Sequence, residues 1–419
     1  MSSCLVLRLV VCSVVLAPTL SLLSAAEEAG AIPAFRMQEI EKSLGDGYAV
    51  LLVDVNNDGK KDIVVVDQTR VVWYENPSWQ RRTIIEGQTK PDNVCIAAAD
   101  IDGDGQVDFA LGAAWNPSNT KSGGTLQWLR RGKTLDEPWS VHPISEEPTL
   151  HRIRFADLDG DGKPVLLVVP LMGRDSTGAK NHMDGQPVRV LAYRIPKDPI
   201  RDRWPMEVID QSMHVVHNFQ AIPTDHGKGM DVLTASYEGV SLLQRSGEKW
   251  TRRHLGMGDQ AHPDKSRGSS EIKRGKLKSG QPFIATIEPW HGDKVVVYTP
   301  PGGFIPPPPG GLWERHVLDD RLKWGHAVWC ADLDGDGGDE LIIGVRDVFS
   351  SESGENCGVR IFKAQDDKGT KWERHLLDEG GVRVEDLAAA DLDGDGRIDL
   401  VAVGRQSHNA RIYWNKGAK

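Results

Sequence analysis

The stretch DLDGDGRIDL, residues Asp391–Leu400, decides the fold because four variants of it recur along the chain. Carboxylate or amide oxygens stand at loop positions 1, 3 and 5 and usually at position 9, and a glycine at position 6 lets the backbone curl around one point. A hard cation with many oxygen ligands, above all Ca²⁺, is the expected occupant of such a loop. The variants are DVNNDGKKD from Asp54, DIDGDGQVD from Asp100, DLDGDGKPV from Asp157 and DLDGDGGDE from Asp332.

The acidic loops differ from an EF-hand, which needs a glutamate at position 12 and helices on both sides. Here position 12 carries apolar residues such as Val65 and Ile343, and the flanks are short β-type runs. Acidic surface turns without metal are the open alternative. In the third loop Val165 replaces the last carboxylate and weakens the predicted site. The predicted calcium ligands are Asp54, Asn56, Asp58, Asp62, Asp100, Asp102, Asp104, Asp108, Asp157, Asp159, Asp161, Asp332, Asp334, Asp336, Glu340, Asp391, Asp393, Asp395 and Asp399.

The spacing of the loops predicts seven repeats. Neighbouring loops start 46, 57 and 59 residues apart, and one gap of 175 residues leaves room for two degenerate units, around Gly229–Leu233 and Gln281–Ala285. Each unit contains two apolar strands around the loop, then a strand with aromatic residues and often a fourth strand that begins with tryptophan. Four strands in each of seven units predict an all-β fold, a seven-bladed β-propeller. The last unit lacks its fourth strand, and Phe35–Ile40 at the N-terminus is predicted to supply it and close the ring.

The N-terminal sequence predicts a secretory signal peptide. An apolar run follows Arg8, and Ser24-Ala25-Ala26 offers a small-residue cleavage site, although a short membrane anchor is the alternative. We therefore expect a signal peptide over 1–26, a short linker over 27–34 and the propeller over 35–419, in a secreted, periplasmic or cell-surface protein without a transmembrane span in the mature chain. The formal net charge is −10 and no basic run is present, so a nucleic-acid partner is not expected.

A second set of polar residues lies at the opposite end of the innermost strands. Six residues before loop position 1 stand His151, His326 and Glu385, and the same offset in the degenerate fourth unit gives His217, with His214 as the alternative. Because innermost strands ring the central channel, these side chains should converge at one mouth, where they suggest Zn²⁺ or another divalent metal. The alternative explanation for these residues is that they line a water-filled channel and have no function. The other candidates for this mouth are Asp92, Arg174, Glu238, Glu271, His291, Arg346 and Arg405.

The acidic loops resemble the FG-GAP/VCBS repeats of integrin-like propellers, a likeness specific for the fold but not for an activity. The unit from Arg315 to Arg346 and the channel-facing histidines also resemble the propeller of the aldos-2-ulose dehydratase family. That resemblance implies a metal-dependent lyase acting on keto-sugars such as 1,5-anhydrofructose. It also implies that His151, His217, Glu271 and His326 are the metal or acid–base residues.

Two functions remain open from the sequence. In the first, a carbon–oxygen lyase (dehydratase) uses His217, Glu271 and His326 as metal ligands and His151 as base. In the second, the same mouth belongs to a non-catalytic propeller that binds a glycan or a protein, as in adhesion. A small carbohydrate or glycan is the expected partner in both, and the oligomeric state is undetermined.

Overall fold

A computed structural model gives the structure of the chain and describes residues 1, 31–225, 227–303, 311–347 and 357–417. The predicted signal peptide, apart from Met1, and residues 27–30 of the predicted linker lie outside the described residues. Within the described part, no helix is long and apolar enough to cross a membrane. Helical structure there is limited to two short 3₁₀ turns, at residues 178–180 and 301–303.

Strands account for nearly all regular structure and assemble into seven four-stranded antiparallel sheets in the described part of the chain. The chain begins with β1 (Phe35–Glu41). The first three blades contain β2 (Gly47–Val53), β3 (Asp62–Asp67), β4 (Arg70–Glu75) and β5 (Gln80–Glu86); β6 (Cys95–Ala99), β7 (Asp108–Ala113), β8 (Thr125–Arg130) and β9 (Ser140–Glu146); and β10 (Leu150–Ala156), β11 (Val165–Pro170), β12 (Val188–Arg194) and β13 (Met206–Met213).

The degenerate fourth and fifth blades have the same four-strand plan as the others, as the 175-residue gap predicted. They contain β14 (Asn218–Pro223), β15 (Met230–Ser236), β16 (Gly239–Ser246) and β17 (Lys249–Gly256), then β18 (Ile272–Lys276), β19 (Pro282–Glu288), β20 (Lys294–Thr299) and β21 (Glu314–Asp319). The last two blades contain β22 (Gly325–Ala331), β23 (Glu340–Val345), β24 (Gly358–Ala364) and β25 (Trp372–Glu379), then β26 (Val384–Ala390), β27 (Asp399–Gly404) and β28 (Ala410–Asn415).

The ring closes through the N-terminal strand. In the last sheet the order is β1-β28-β27-β26, and Met37 lies opposite Tyr413 in an antiparallel pair. The Trp414 indole donates a hydrogen bond of 2.9 Å to Gln38 Oε1 across this seam. Pairing the first strand with the last removes an exposed sheet edge, and it confirms the predicted seven-bladed propeller with N-terminal closure.

The core lies between neighbouring blades, because each sheet is covered on both faces. In six of the seven blades the second strand is buried along its whole length, as in β3 (DIVVVD) and β23 (ELIIGV). Val64 and Trp73 of the first blade, for example, belong to the same buried cluster as Phe109 and Trp139 of the second. Continuous apolar strands are what two-sided burial requires.

The innermost strands β2, β6, β10, β14, β18, β22 and β26 line the central channel and contact their neighbours around it. Each enters at one mouth and leaves at the other, where the first, second, third, sixth and seventh blades carry an acidic loop. Residues at the entering ends are therefore brought together although they are far apart in sequence. This geometry positions the site.

Candidate metal centre at the channel mouth

The acidic loops fold around their own carboxylates. In the seventh blade, Asp391 accepts backbone hydrogen bonds from Gly394 (2.8 Å) and Gly396 (2.9 Å). Asp399 accepts from Leu392 (3.1 Å) and Asn415 (2.8 Å), which ties the loop to the third strand. Three loops bring carboxylate oxygens within 4.8 Å of one another: Asp100, Asp102 and Asp108; Asp332, Asp334 and Asp336; and Asp391, Asp393 and Asp399.

The carboxyl groups at loop position 9 are hard to ionise without a nearby cation. Burial raises the pKa of Asp62, Asp108 and Asp399 to about 6 and that of Glu340 to about 8. Neighbouring carboxylates raise these pKa values further, whereas backbone N–H donors oppose the shift. A bound divalent cation would remove this repulsion, so the loops have the electrostatics of a calcium site.

The five loops nevertheless differ in the basic side chains that contact their carboxylates. In the sixth blade, the buried Lys363 ammonium contacts Asp334 directly and lies 3.3 Å from Asp336 and 3.9 Å from Glu340. At the matching point of the second blade, Arg130 pairs with Asp102 at 2.7 Å. The third strand therefore supplies the sixth loop with a positive charge at the place where an ion would sit.

The opposite mouth is a polar cavity of 530 Å³. It is lined by His151, His217, His326 and Glu385, the residues placed there by the common offset from the acidic loops. The predicted Asp92, His291, Arg346 and Arg405 also line it. The structure thus brings together most of the residues that the sequence assigned to this mouth.

Three imidazoles form the closest cluster in this cavity. Nitrogen atoms of His217, His291 and His326 lie within 4.8 Å of one another. The Nε2 atoms of His217 and His291 are 2.5 Å apart, a distance at which two lone pairs repel unless a proton lies between them. Two nitrogen ligands of one tetrahedral Zn²⁺ stand about 3.3 Å apart, so binding of the metal requires the two rings to separate by less than about 1 Å. His291 comes from the loop after β19, whereas His217 and His326 stand at the starts of innermost strands. We name this set the histidine triad.

Other groups hold the ring nitrogens that point away from the histidine triad. Nδ1 of His217 lies 2.8 Å from Glu271 Oε1, and Nδ1 of His326 lies 2.6 Å from the carbonyl oxygen of Glu385. The His326 contact favours the tautomer protonated at Nδ1, which leaves its Nε2 lone pair available, whereas the His217 contact is short but lies outside hydrogen-bond geometry. Glu271 is therefore placed behind a candidate ligand, a position different from the direct ligation that the sequence suggested. Nδ1 of His291 is buried and has no hydrogen-bond partner among the described residues.

Electrostatics keep these imidazoles neutral. Burial lowers the pKa of His217, His291 and His326 well below the usual value, and nearby cationic groups, including Arg346, lower it further. Neutral imidazole is the form that binds a metal ion. The residues present therefore fit a divalent transition metal such as Zn²⁺ in donor type, number and protonation state.

His151 lies beside the histidine triad, with its ring centroid 4.7 Å from that of His217. Its Nδ1 faces the His217 carbonyl oxygen at 3.2 Å, and its Nε2 lies 3.3 Å from Nη1 of Arg152. Burial, and then the Arg152 charge, hold the pKa of His151 well below the usual value. His151 is thus a neutral group at the wall of the cavity, outside the set of closest nitrogens.

Two predicted residues lie away from the cavity. Arg174 pairs with Glu147 at 2.5 Å and lines a separate pocket together with Arg189. Glu238 accepts a hydrogen bond from the backbone of His214 and lies 2.9 Å from its ring Nδ1, and is therefore occupied in holding that loop. Neither lines the mouth.

Aromatic side chains form walls of the mouth, and sequence reasoning missed two of them, Trp115 and Trp324. Trp115 packs against His151 with ring centroids 5.6 Å apart, and Trp290 stacks on His291 at 4.2 Å. Trp324 stands 5.4 Å from His291 and under the Arg346 guanidinium. Trp324 directly precedes β22, two residues before His326, so the offset that found the histidines also passed close to this residue. Polar groups surrounded by aromatic walls are typical of a small-molecule site.

Comparisons with known proteins agree with this architecture. Residues 123–301 match the family described as aldos-2-ulose dehydratase, beta-propeller domain, and residues 54–111 match the FG-GAP-like repeat. Aldos-2-ulose dehydratase of Phanerodontia chrysosporium is 25% identical over 90% of this chain, which spans 44% of that protein's length.

Solved structures show the same fold at low identity. BBS1N in complex with ARL6DN matches with a TM-score of 0.55 and 13% identity, over 94% of this chain and all of that one. The extracellular domain of a putative one-component system from B. thetaiotaomicron matches with a TM-score of 0.51 and 11% identity, over 90% of this chain and 39% of that one. The chain is a seven-bladed β-propeller with FG-GAP-like repeats that resembles the propeller domain of aldos-2-ulose dehydratase.

Proposed function

We propose that this protein is a carbohydrate-active lyase that holds a divalent transition metal at the histidine triad and removes water from a keto-sugar. The observation that carries the proposal is the convergence of His217, His291 and His326 on one side of a cavity of 530 Å³. The likeness to aldos-2-ulose dehydratase supports a carbohydrate substrate. Because this chain spans less than half of that relative, the activity rests on the site itself.

Each residue of the mouth has a distinct role in the proposed dehydration. A bound Zn²⁺ supplies Lewis acidity toward a carbonyl oxygen. His151 accepts the proton next to that carbonyl, and the hydroxyl group on the adjoining carbon leaves, so that proton and hydroxide together make water. Arg346 and Arg405 lie 3.3 and 3.6 Å from Glu385 and fix its carboxylate at the wall of the cavity. The three tryptophans limit the entry of bulk water.

The acidic loops have a separate role in this proposal. The loops without a buried ammonium hold Ca²⁺ at the opposite face and stabilise the hairpins between the first two strands of a blade. A secreted, periplasmic or cell-surface location would supply calcium at the concentrations that such sites need. The chemistry and the scaffold then use different metals at opposite ends of one channel.

A metal-content measurement tests the site. Purified protein is treated with a mild chelator, and bound zinc is measured by elemental analysis. We expect the natural chain to retain about one zinc and His326→Ala to retain none, because three nitrogen ligands are the minimum of a typical protein zinc site. His262→Ala removes an exposed histidine and should keep the zinc. Equal zinc in all three proteins would contradict the site, and melting temperatures would show whether the fold survives.

A non-catalytic glycan-binding propeller is the second candidate, and the aromatic walls formed by Trp115, Trp290 and Trp324 favour it. Incubation with 1,5-anhydrofructose separates the two. Loss of one water from the sugar, detected by mass spectrometry and abolished in His326→Ala, supports the lyase. Saturable binding of the sugar without any conversion supports the binding protein.

A further inference from the structure

A second cavity fills the channel beneath the histidine triad. It measures 490 Å³ and is enclosed by the innermost strands between the triad and the acidic-loop face. Much of its wall is apolar, with side chains such as Leu51, Phe155 and Trp329. We name it the lower chamber. Arg152, Asn218 and Glu271 form its end toward the triad.

The lower chamber has an excess of positive charge. Its interior lining contains three basic residues, Arg152, Arg154 and Lys273, and two acidic residues, Glu271 and Asp386, while the fourth basic residue, Lys61, is exposed to solvent. The interior groups alone leave a formal excess of one positive charge. Protein interiors rarely hold such an excess without a compensating group.

Two of these cations have no carboxylate partner. Arg152 lies 3.7 Å from Glu271, and Asp386 accepts backbone hydrogen bonds from Val50 and Leu387, each at 3.0 Å. The Arg154 guanidinium donates to the Asn218 side-chain oxygen at 3.0 Å and lies 5.0 Å from the Phe219 ring. The Lys273 ammonium lies 4.3 Å from the centre of the Trp329 ring. Within the described residues, Arg154 and Lys273 thus form no ion pair.

The electrostatics of Lys273 agree with this excess of positive charge in the lower chamber. Burial, and then the charge of Arg154, lower the pKa of Lys273 to about 8, and the charges of Asp386 and Glu271 offset this shift only in part. A negatively charged ligand between Arg154 and Lys273 would supply this compensation. Arg154 on β10 and Lys273 on β18 lie on either side of β14 and line the same chamber, and two basic groups that line one space are a common arrangement for holding an oxyanion.

We propose that the lower chamber is a binding site for a small oxyanion, held by Arg154 and Lys273. The shared chemistry is a carboxylate, sulfate or phosphate group. The apolar wall at Leu51 and Trp329 and the volume of 490 Å³ leave room for a small organic body attached to it. The site lies on the far side of Arg152 and Glu271 from the histidine triad, so it does not depend on the proposed lyase activity.

Calorimetric titration of the full chain with inorganic sulfate and, separately, with glucuronate tests this site. We expect saturable binding of at least one of the two anions and a loss of at least about tenfold in affinity for Lys273→Met, since a charge-assisted hydrogen bond is worth about 1.5–3 kcal/mol. Lys276→Met removes an exposed lysine from the same strand and should bind as the natural chain does. Binding of sulfate alone would identify an inorganic anion, and binding of glucuronate alone an organic carboxylate.

Methionine at position 273 keeps an apolar side chain against Trp329, so the fold should persist, and an unchanged or higher melting temperature without added anion would show this. Arg154→Met provides the second variant and should weaken the same anion. The proposal is overturned if neither anion saturates the natural chain. It is also overturned if both variants bind the anion as tightly as Lys276→Met does.

Discussion

Glu288→Ala is expected to lower the free energy of unfolding by about 3–5 kcal/mol, the usual loss when one partner of a buried ion pair is removed. Glu288 is fully buried at the end of β19. Its carboxylate accepts hydrogen bonds from Tyr298 (2.6 Å) and from Arg315 Nε (2.8 Å), and from the hydroxyls of Ser269 and Thr286 (3.0 Å each). Alanine would leave the Arg315 charge and three hydroxyl groups without this acceptor.

The same substitution should also disturb the histidine triad, because Glu288 stands three residues before His291 and fixes the start of that loop. We expect zinc retention to fall along with stability, as measured by urea unfolding and elemental analysis. Tyr298→Phe removes one hydroxyl and should cost about 1 kcal/mol. Glu314→Ala, an exposed glutamate in the same blade, should change stability by less than about 0.5 kcal/mol. Similar losses for Glu288→Ala and Glu314→Ala would contradict the argument.

The fold was predictable because the acidic loops occupy one fixed place in every blade. Their spacing gave the number of blades even where two loops are missing, and the aromatic third strands gave the order within a blade. The closing strand followed from the absence of a fourth strand after Trp414. Each of these inferences uses local sequence and a regular period, which a repeat architecture preserves.

The site was predictable only where it follows the same period. His151, His217 and His326 stand at one offset on innermost strands, and the structure places all three at the mouth. His291 and Glu271 were named as candidates, but their roles beside His217 depend on side-chain directions that no period encodes. Arg174 was misplaced for the same reason, since its loop turns toward Glu147. Loop side chains take their positions from tertiary contacts.

The contrast between the sixth and seventh acidic loops could not be predicted, because it arises from the third strand. The Lys363 side chain contacts the carboxylates of the sixth loop, whereas the equivalent position on the third strand of the last blade is Trp414. In the seventh loop the basic groups are partly exposed: Arg397 contacts Asp395 directly, and Lys416 lies 3.9 Å from Asp393. A buried ammonium and a calcium ion compete for the same carboxylates, so loops of nearly equal sequence should differ in calcium affinity.

Removal of calcium is therefore expected to lower the melting temperature because the seventh loop loses its ion. The sixth loop should be unaffected, because Lys363 already compensates its carboxylates. Each filled site should contribute about 2.7 kcal/mol when free calcium is one hundred times its dissociation constant. Asp393→Asn should reduce both the number of bound calcium ions, by one, and the shift in melting temperature on chelation. Asp334→Asn should lower stability with no loss of calcium, because it takes a partner from Lys363.

The Lys363→Met variant distinguishes two explanations: either the lysine takes the place of the ion, or the sixth loop is unable to bind metal with or without the lysine. Methionine removes the ammonium but fills similar space, so Asp334, Asp336 and Glu340 would face one another without a cation. We expect this variant to bind one calcium ion more than the natural chain and to depend on calcium for its stability, as judged by equilibrium dialysis and thermal unfolding. An unchanged calcium count in Lys363→Met, or a lost calcium in Asp334→Asn, would show that the lysine does not take the place of the ion.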